Sequence, residues 1–131
     1  MTPTTIRRKY VTEAAALLAL MRLAVRFLPA SWVFRWARRQ PQRIERFRRN
    51  EIEWISWAIE TAGNSRWMET PYLPRALAAQ AMLRRRGVIG HLCLGVSDEK
   101  NVVFAHAWVE VEGKMIVGGA NARGFTKVAE F

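Results

Sequence analysis

Two short stretches of the sequence carry residue types that nucleophilic catalysis uses. Residues 72–87 read Tyr-Leu-Pro-Arg-Ala-Leu-Ala-Ala-Gln-Ala-Met-Leu-Arg-Arg-Arg-Gly, with apolar residues at helical spacing. Residues 104–113 alternate as a strand does and carry His106. A nucleophile at the start of a helix gains acidity from the helix dipole, and a histidine on a facing strand can act as its base. The pairing predicts that Tyr72, at the start of the helix, faces His106 across a small cleft.

The two stretches together resemble a known family. They are similar to the stand-alone leader peptidase of lasso-peptide biosynthesis, the catalytic half of a split maturation protease with a transglutaminase-like fold. The resemblance covers nearly the whole chain, and its most specific part is Ala-His-Ala-Trp-Val-Glu-Val-Glu-Gly at residues 105–113. It implies removal of the leader from a ribosomally made precursor peptide. It also implies two partner proteins, namely a separate leader-recognition protein and the lasso cyclase.

The chain departs from this family at two positions. The family's nucleophile is a cysteine directly before the Leu of the helix motif, and Tyr72 stands there in this chain. The family's third catalytic member is often an Asp about twelve residues after the histidine, and Gly118 stands there. A phenol stays protonated at neutral pH and is a poor nucleophile toward an amide. Two readings stay open: a thiol-protease-like enzyme with His106 as base and a degenerate nucleophile position, or a catalytically dead scaffold that binds the precursor or the cyclase.

Two further residues are candidates for the catalytic roles. Cys93 is the single thiol and the alternative nucleophile, because an adjacent antiparallel strand could bring it near His106. A buried structural cysteine is the commoner reading of such a residue. Asn121 could orient His106 as a neutral amide does in papain-like enzymes, or it could be a turn residue.

The sequence predicts neither a metal nor a cofactor. His91 and His106 have no second ligand at a short metal-binding spacing, and the nearby acids are predicted on turns and exposed strand positions. Gly118 and Gly119 lack the lysine and the helix that follow a phosphate-binding loop.

The elements that must position these residues are helices first and strands second. Helical spacing predicts helices over about 12–28, 31–39, 41–62 and 72–86. Period-two patterns predict strands over 89–96, 102–112 and 114–117, with a short fourth strand around 125–128. The predicted class is α+β, with N-terminal helices followed by an antiparallel three- to four-stranded sheet and a transglutaminase-like, papain-like core.

Alternation along the second strand assigns its side chains to two faces. One face carries Phe104, His106, Trp108 and Glu110, and the other carries Ala105, Ala107, Val109 and Val111. The second face is entirely apolar, so we expect it to pack on the helix over 72–86 or on the N-terminal helices.

Length and composition indicate one folded domain over residues 1–131. Half of the residues are apolar, including six Trp and six Phe, which excludes disorder as the main state. A basic helical part, residues 1–62, precedes a helix-plus-sheet part, residues 72–131. Residues 1–50 hold twelve Lys and Arg against two acids (12 − 2 = +10), and residues 51–131 hold nine against nine (9 − 9 = 0). The positive charge is therefore confined to the first part.

The basic segment has three possible meanings. It is a solvated face, or it contacts an anionic membrane surface through Trp32, Phe34 and Trp36 and the arginines beside them. Nucleic acid ranks last, because no base-reading motif is present. No stretch approaches the roughly 20 apolar residues of a spanning helix, and the single cysteine fits a reducing compartment. We therefore expect a cytoplasmic protein, with a basic peripheral protein of the inner membrane as the alternative.

Overall fold

The fold was obtained as a computed structural model, which describes residues 3–39, 49–64, 72–99, 102–117 and 125–131. Its elements are α1 (Pro3–Phe27), α2 (Ala30–Ala37), α3 (Arg49–Gly63), α4 (Tyr72–Arg85), β1 (His91–Glu99), β2 (Val102–Val111), β3 (Lys114–Val117) and β4 (Thr126–Glu130). All strand pairs are antiparallel, in the order β3-β2-β1-β4. The predicted α+β class, helices first and then an antiparallel sheet, is confirmed.

The first helix begins earlier than predicted. Thr12 and Glu13 were expected to open it, but α1 begins at Pro3, because the fixed φ of proline suits the first turn of a helix. Glu13 instead lies within α1 and accepts hydrogen bonds from Arg85 at 2.9 Å and from Arg86 at 2.8 Å. Although burial alone would raise the pKa of Glu13, the hydrogen bond and charge of Arg86 and the charge of Arg85 lower it. These ion pairs join α1 to the end of α4.

Other boundaries shift by a few residues. The first strand was predicted over 89–96, but β1 covers His91–Glu99, because its pairing with β2 extends to the Glu99–Val102 pair. The last strand covers Thr126–Glu130 rather than 125–128. Of the predicted third helix, residues 41–48 lie outside the described residues.

Helix α4 is the centre of the molecule. The sequence predicts a single buried stripe on it, but ten consecutive residues from Pro74 to Leu83 are buried. The reason is that α4 contacts α1 and α3 as well as β1 and β2, so it is covered on several sides. Gly87, with a φ of 74°, adopts the left-handed conformation that follows the helix end.

The sheet has one face on the main core and one face turned away from it. Ala107, Val109 and Val111 are buried in the cluster that includes α4, as predicted, but Ala105, which was predicted on the same face, is exposed. Leu92 pairs with Val109 and belongs to the same cluster. The alternate residues of β2 therefore point to the other face, which carries the candidate site.

Candidate active site

Tyr72 and His106 meet at the junction of α4 and β2. Tyr72 is the first residue of α4, and His106 lies in the middle of β2. Their rings contact edge to face, with centroids 4.6 Å apart and planes at 64°. The structure thus brings together the helix start and the strand histidine that the sequence paired. Their catalytic roles stay predictions.

Aromatic rings surround His106. Trp108 stacks at a centroid distance of 6.1 Å and Phe125 lies at 5.2 Å, in addition to Tyr72. His106 is half-buried among them. An imidazole in this position can exchange protons with a group at the start of α4, but the phenol of Tyr72 fills the space next to it. Asn121 and Gly118, the other positions considered for orienting His106, lie outside the described residues.

Arg75 fixes the start of α4 to the end of α3. Its guanidinium is 4% exposed and donates hydrogen bonds to the Glu60 carboxylate at 3.1 Å, the Gly63 carbonyl at 2.8 Å and the Asn64 side-chain oxygen at 3.0 Å. The same guanidinium lies 4.8 Å from the ring centre of Tyr72. A buried cation is stable only when it is paired and hydrogen-bonded, and Arg75 is both. Arg75 therefore ties the first turn of α4 to the end of α3 and packs against the Tyr72 ring.

Gly63 makes this arrangement possible. A Cβ atom at this position would lie 2.7 Å from Nε of Arg75 and 2.9 Å from its central guanidinium carbon. Real Cβ atoms essentially never make contacts this short, so a side chain at residue 63 would displace the guanidinium from its present place against the helix end. Gly63 is the last residue of α3, and its role there is the packing of this guanidinium.

Cys93 lies on the same face of the sheet as His106 but not directly opposite it. It pairs across the ladder with Trp108, whereas Gly95 pairs with His106. The thiol is buried and donates to a Glu110 carboxylate oxygen 3.4 Å away. Burial, together with the hydrogen bond and negative charge of Glu110, raises the pKa of the Cys93 thiol to about 12. A thiol in this environment is protonated at neutral pH, which is the opposite of what a nucleophile requires.

Glu110 is the centre of a polar cluster on this face of the sheet. The sequence placed the nearby acids on exposed positions, but Glu110 is 8% exposed. It accepts hydrogen bonds from the Trp108 indole at 2.8 Å and from Lys127 at 3.1 Å. Although burial raises the pKa of Glu110, hydrogen bonds from Trp108, Lys127 and Cys93 lower it below the ordinary value. The Glu110 carboxylate therefore stays charged and is paired with Lys127, which explains why a buried acid is tolerated at this position.

The same cluster has the residue types of a metal site. The sulfur of Cys93 and carboxylate oxygens of Glu110 and Glu130 lie within 4.8 Å of one another. However, the Lys127 ammonium lies 3.0 Å from Glu110 and 3.3 Å from Glu130 and supplies positive charge to both carboxylates. A protonated thiol is also a poor metal ligand. This set of residues fits an ion-paired cluster better than a metal centre.

Gly95 allows Trp108 to lie across the sheet. A Cβ at Gly95 would be 2.7 Å from two atoms of the Trp108 ring and 3.0 Å from the Thr126 carbonyl oxygen. The indole therefore covers Gly95, next to His106, while its nitrogen reaches Glu110. The irregularity in the β1–β4 ladder between Leu94 and Gly95 occurs at the same place.

Sequence reasoning identified the pair of rings but missed the residues that hold them. Arg75 lies inside the helix motif, and an arginine between Leu73 and Ala76 on an apolar stripe was a signal that it is buried and paired. The sequence signal for Glu110 was weaker. It consisted of the position of Glu110 two residues after Trp108, on the same face of the strand as His106. Nothing in the local pattern indicated that Lys127 would pair with it, because that contact depends on the placement of β4.

Comparisons with known proteins agree with this architecture. The family model described as Transglutaminase-like superfamily matches residues 14–130, which include Tyr72, Arg75, Cys93 and His106. No curated protein and no solved structure matches the chain.

Proposed function

The chain belongs to the transglutaminase-like superfamily, and from this premise we propose that it takes part in leader-peptide processing during lasso-peptide biosynthesis. The observation that carries the proposal is the contact between Tyr72 at the start of α4 and His106 on β2, with ring centroids 4.6 Å apart. In this proposal His106 holds the position of the base and Tyr72 holds that of the nucleophile. The substrate is a ribosomally made precursor peptide, presented by a separate leader-recognition protein and passed on to the cyclase.

The phenol at the nucleophile position favours holding the peptide over cutting it. Cleavage of an amide by a thiol enzyme needs a thiolate that attacks the carbonyl carbon, a base that takes the thiol proton, and donors for the oxyanion. A phenol is protonated at neutral pH and is much less nucleophilic than a thiolate. Arg75 and His106 pack against the Tyr72 ring, which supports a static role for it. We therefore expect the unmodified chain to act as a scaffold for the precursor and to cleave little or none of it.

A relocated nucleophile at Cys93 is the enzymatic alternative. It would require Cys93 to ionise and to reach a substrate carbonyl near His106. Its burial and its raised pKa both oppose that step, and it pairs with Trp108 rather than with His106.

Cleavage of one precursor by a set of variants tests the proposal. The precursor is incubated with the recognition partner and each variant, and intact mass is the readout. We expect no product from the unmodified chain and measurable product from Tyr72→Cys, because the new thiol lies at the helix start beside His106. Adding His106→Ala to Tyr72→Cys should abolish the gain.

Tyr10→Cys is the matched control, because it introduces a thiol at the other tyrosine of the chain, outside the site. It should cleave nothing. Activity of the unmodified chain that is lost in Cys93→Ser and kept in Tyr72→Phe would instead establish Cys93 as the nucleophile. Robust cleavage that survives both changes would overturn both accounts. Failure of the unmodified chain to bind the precursor and its recognition partner would overturn the scaffold role.

A further inference from the structure

The hairpin of α1 and α2 exposes large apolar side chains to solvent. Five of the nine exposed large apolar residues of the described chain lie on it: Leu20 at 56%, Leu23 at 56%, Phe27 at 71%, Leu28 at 45% and Trp32 at 58%. We call these five residues the hairpin patch. Exposed apolar side chains scattered singly need no explanation, but a group on one supersecondary unit marks an interaction surface.

The patch has a regular geometry. Leu20, Leu23 and Phe27 follow helical spacing and form one stripe on α1. The core residues Leu18 and Met21 lie on another side of the same helix. Leu20, Leu28 and Trp32 also line one cleft between α1 and α2. The stripe is therefore separate from the core face of α1 and continues onto the second helix.

The part of the hairpin over residues 14–39 is uniformly positive. Residues 14–39 contain five arginines and no acid. All five are exposed: Arg22, Arg26, Arg35, Arg38 and Arg39. Arginines beside exposed Leu, Phe and Trp are the composition of helices that lie in the interface of an anionic bilayer. The charge argues against a second copy as the occupant, because two such patches would repel each other.

The structure changes which aromatic residues belong to this surface. The sequence grouped Trp32, Phe34 and Trp36, but Phe34 stacks on Phe131 with centroids 4.7 Å apart. The Arg84 guanidinium lies over Trp36, and its central carbon is 4.2 Å from the centre of the Trp36 ring. Only Trp32 of the three is exposed, and Phe27 and the leucines of α1 take the place of the others.

We propose that the hairpin patch binds the surface of an anionic lipid bilayer, with its apolar side chains among the lipids and its arginines at the phosphates. None of the described helices is long and apolar enough to cross a membrane. A stripe of exposed apolar residues flanked by arginines suits a helix that lies in the bilayer interface. The contact is also separate from the Tyr72 site. The end of α2 is held near the end of α4, where the Ala37 carbonyl accepts hydrogen bonds from Gln80 and Arg84. Twelve residues of helix put about 18 Å between Tyr72 and Arg84.

Sedimentation of the full chain with lipid vesicles tests this proposal. The vesicles are phosphatidylcholine alone or phosphatidylcholine with phosphatidylglycerol. We expect binding to the anionic vesicles only, at low salt, and release as salt is raised, because exposed charges are screened within about 10 Å at 0.1 M salt. Arg22→Gln with Arg26→Gln should weaken binding roughly thirtyfold, since each basic residue near the surface is worth about fivefold. Leu23→Ser with Phe27→Ser should weaken it by about tenfold or more.

Matched control variants remove the same kinds of side chain, two charged or two apolar, from other parts of the surface. Arg8→Gln with Lys114→Gln removes two exposed charges, and Met115→Ser with Val128→Ser removes two exposed apolar side chains. Each control should change binding by no more than about threefold. Equal binding to neutral vesicles, binding to neither, or controls that match the patch variants would overturn the proposal. A dimer in the absence of lipid that Phe27→Ser abolishes, with no vesicle binding, would assign the patch to a second copy.

Discussion

The two faces of strand β2 are built on different physical principles. On one face Ala107, Val109 and Val111 pack with α4 in an apolar cluster, where only shape and volume matter. On the other face His106, Trp108 and Glu110 take part in ring contacts and charged hydrogen bonds. Both faces are largely buried along residues 107–111. The comparison shows that burial alone does not define the core of this protein.

The difference follows from what covers each face. Helix α4 presents apolar atoms to the first face, because its backbone is already hydrogen-bonded and its buried Arg75 and Gln80 side chains donate to the carbonyl groups of Gly63, Ala37 and Gly90. The short strand β4 supplies Lys127 and Glu130, whose side chains reach the carboxylate of Glu110 and the thiol of Cys93. The polar residues of β2 therefore lie on the face that points away from α4, and this face also carries the candidate site.

Leu92→Ala should give the largest loss of stability. Leu92 is fully buried on the α4 side of the sheet, and its truncation leaves a cavity. We expect a decrease of about 2–5 kcal/mol in the free energy of unfolding, measured with urea. The control is Val128→Ala, because Val128 is 61% exposed on β4, and it should change stability by no more than about 0.5 kcal/mol. Equal effects would show that the α4 side is not the main source of stability.

Glu110→Gln should cause an intermediate loss of stability and should change how the stability depends on pH. It removes the charged partner of Lys127 and leaves that ammonium less well paired, so we expect a loss of about 1–3 kcal/mol near pH 7. Because the folded-state pKa of Glu110 is lowered, its contribution is complete above the ordinary carboxyl pKa of about 4.3 and is lost as the pH falls through the lower folded value. The stability difference between the unmodified chain and the variant should therefore shrink below about pH 4.

Glu130→Gln is the control for this comparison, since Glu130 also contacts Lys127 but its side chain is 48% exposed. This variant should lower the free energy of unfolding by less than about 1 kcal/mol. A difference between Glu110→Gln and the unmodified chain that grows as the pH falls would contradict the assigned pKa direction.

Cys93 should give the smallest effect on stability and a clear chemical signature. Cys93→Ser keeps a small donor opposite Trp108, so we expect a loss of about 1 kcal/mol. The thiol itself should react with a disulfide reagent at pH 8 on the order of a thousandfold more slowly in the folded than in the urea-unfolded chain, because its pKa is raised and it is buried. Native labelling within tenfold of the unfolded rate would restore Cys93 as a nucleophile candidate.

Periodicity within single elements was sufficient for much of the fold. The alternation along β2 predicted that Ala107, Val109 and Val111 reach the main core, although Ala105 on the same face is exposed, and the predicted helix end at 86 lies one residue beyond the end of α4. The residues 72 and 106 could be paired because a motif placed them, although the chemistry of the tyrosine could not be read from the pattern. The strand alternation and the helix end depend on neighbours close in sequence, so the sequence determines them directly.

Only the tertiary structure decided the rest, because those features depend on contacts between distant elements. The ladder register placed Cys93 opposite Trp108 and not opposite His106. The packing of α3 on α4 buried Arg75 and made Gly63 its neighbour. The position of β4 turned Glu110 from an expected surface acid into a paired, buried carboxylate. In each case the environment of a side chain is set by an element far away in sequence, and periodicity carries no information about that element.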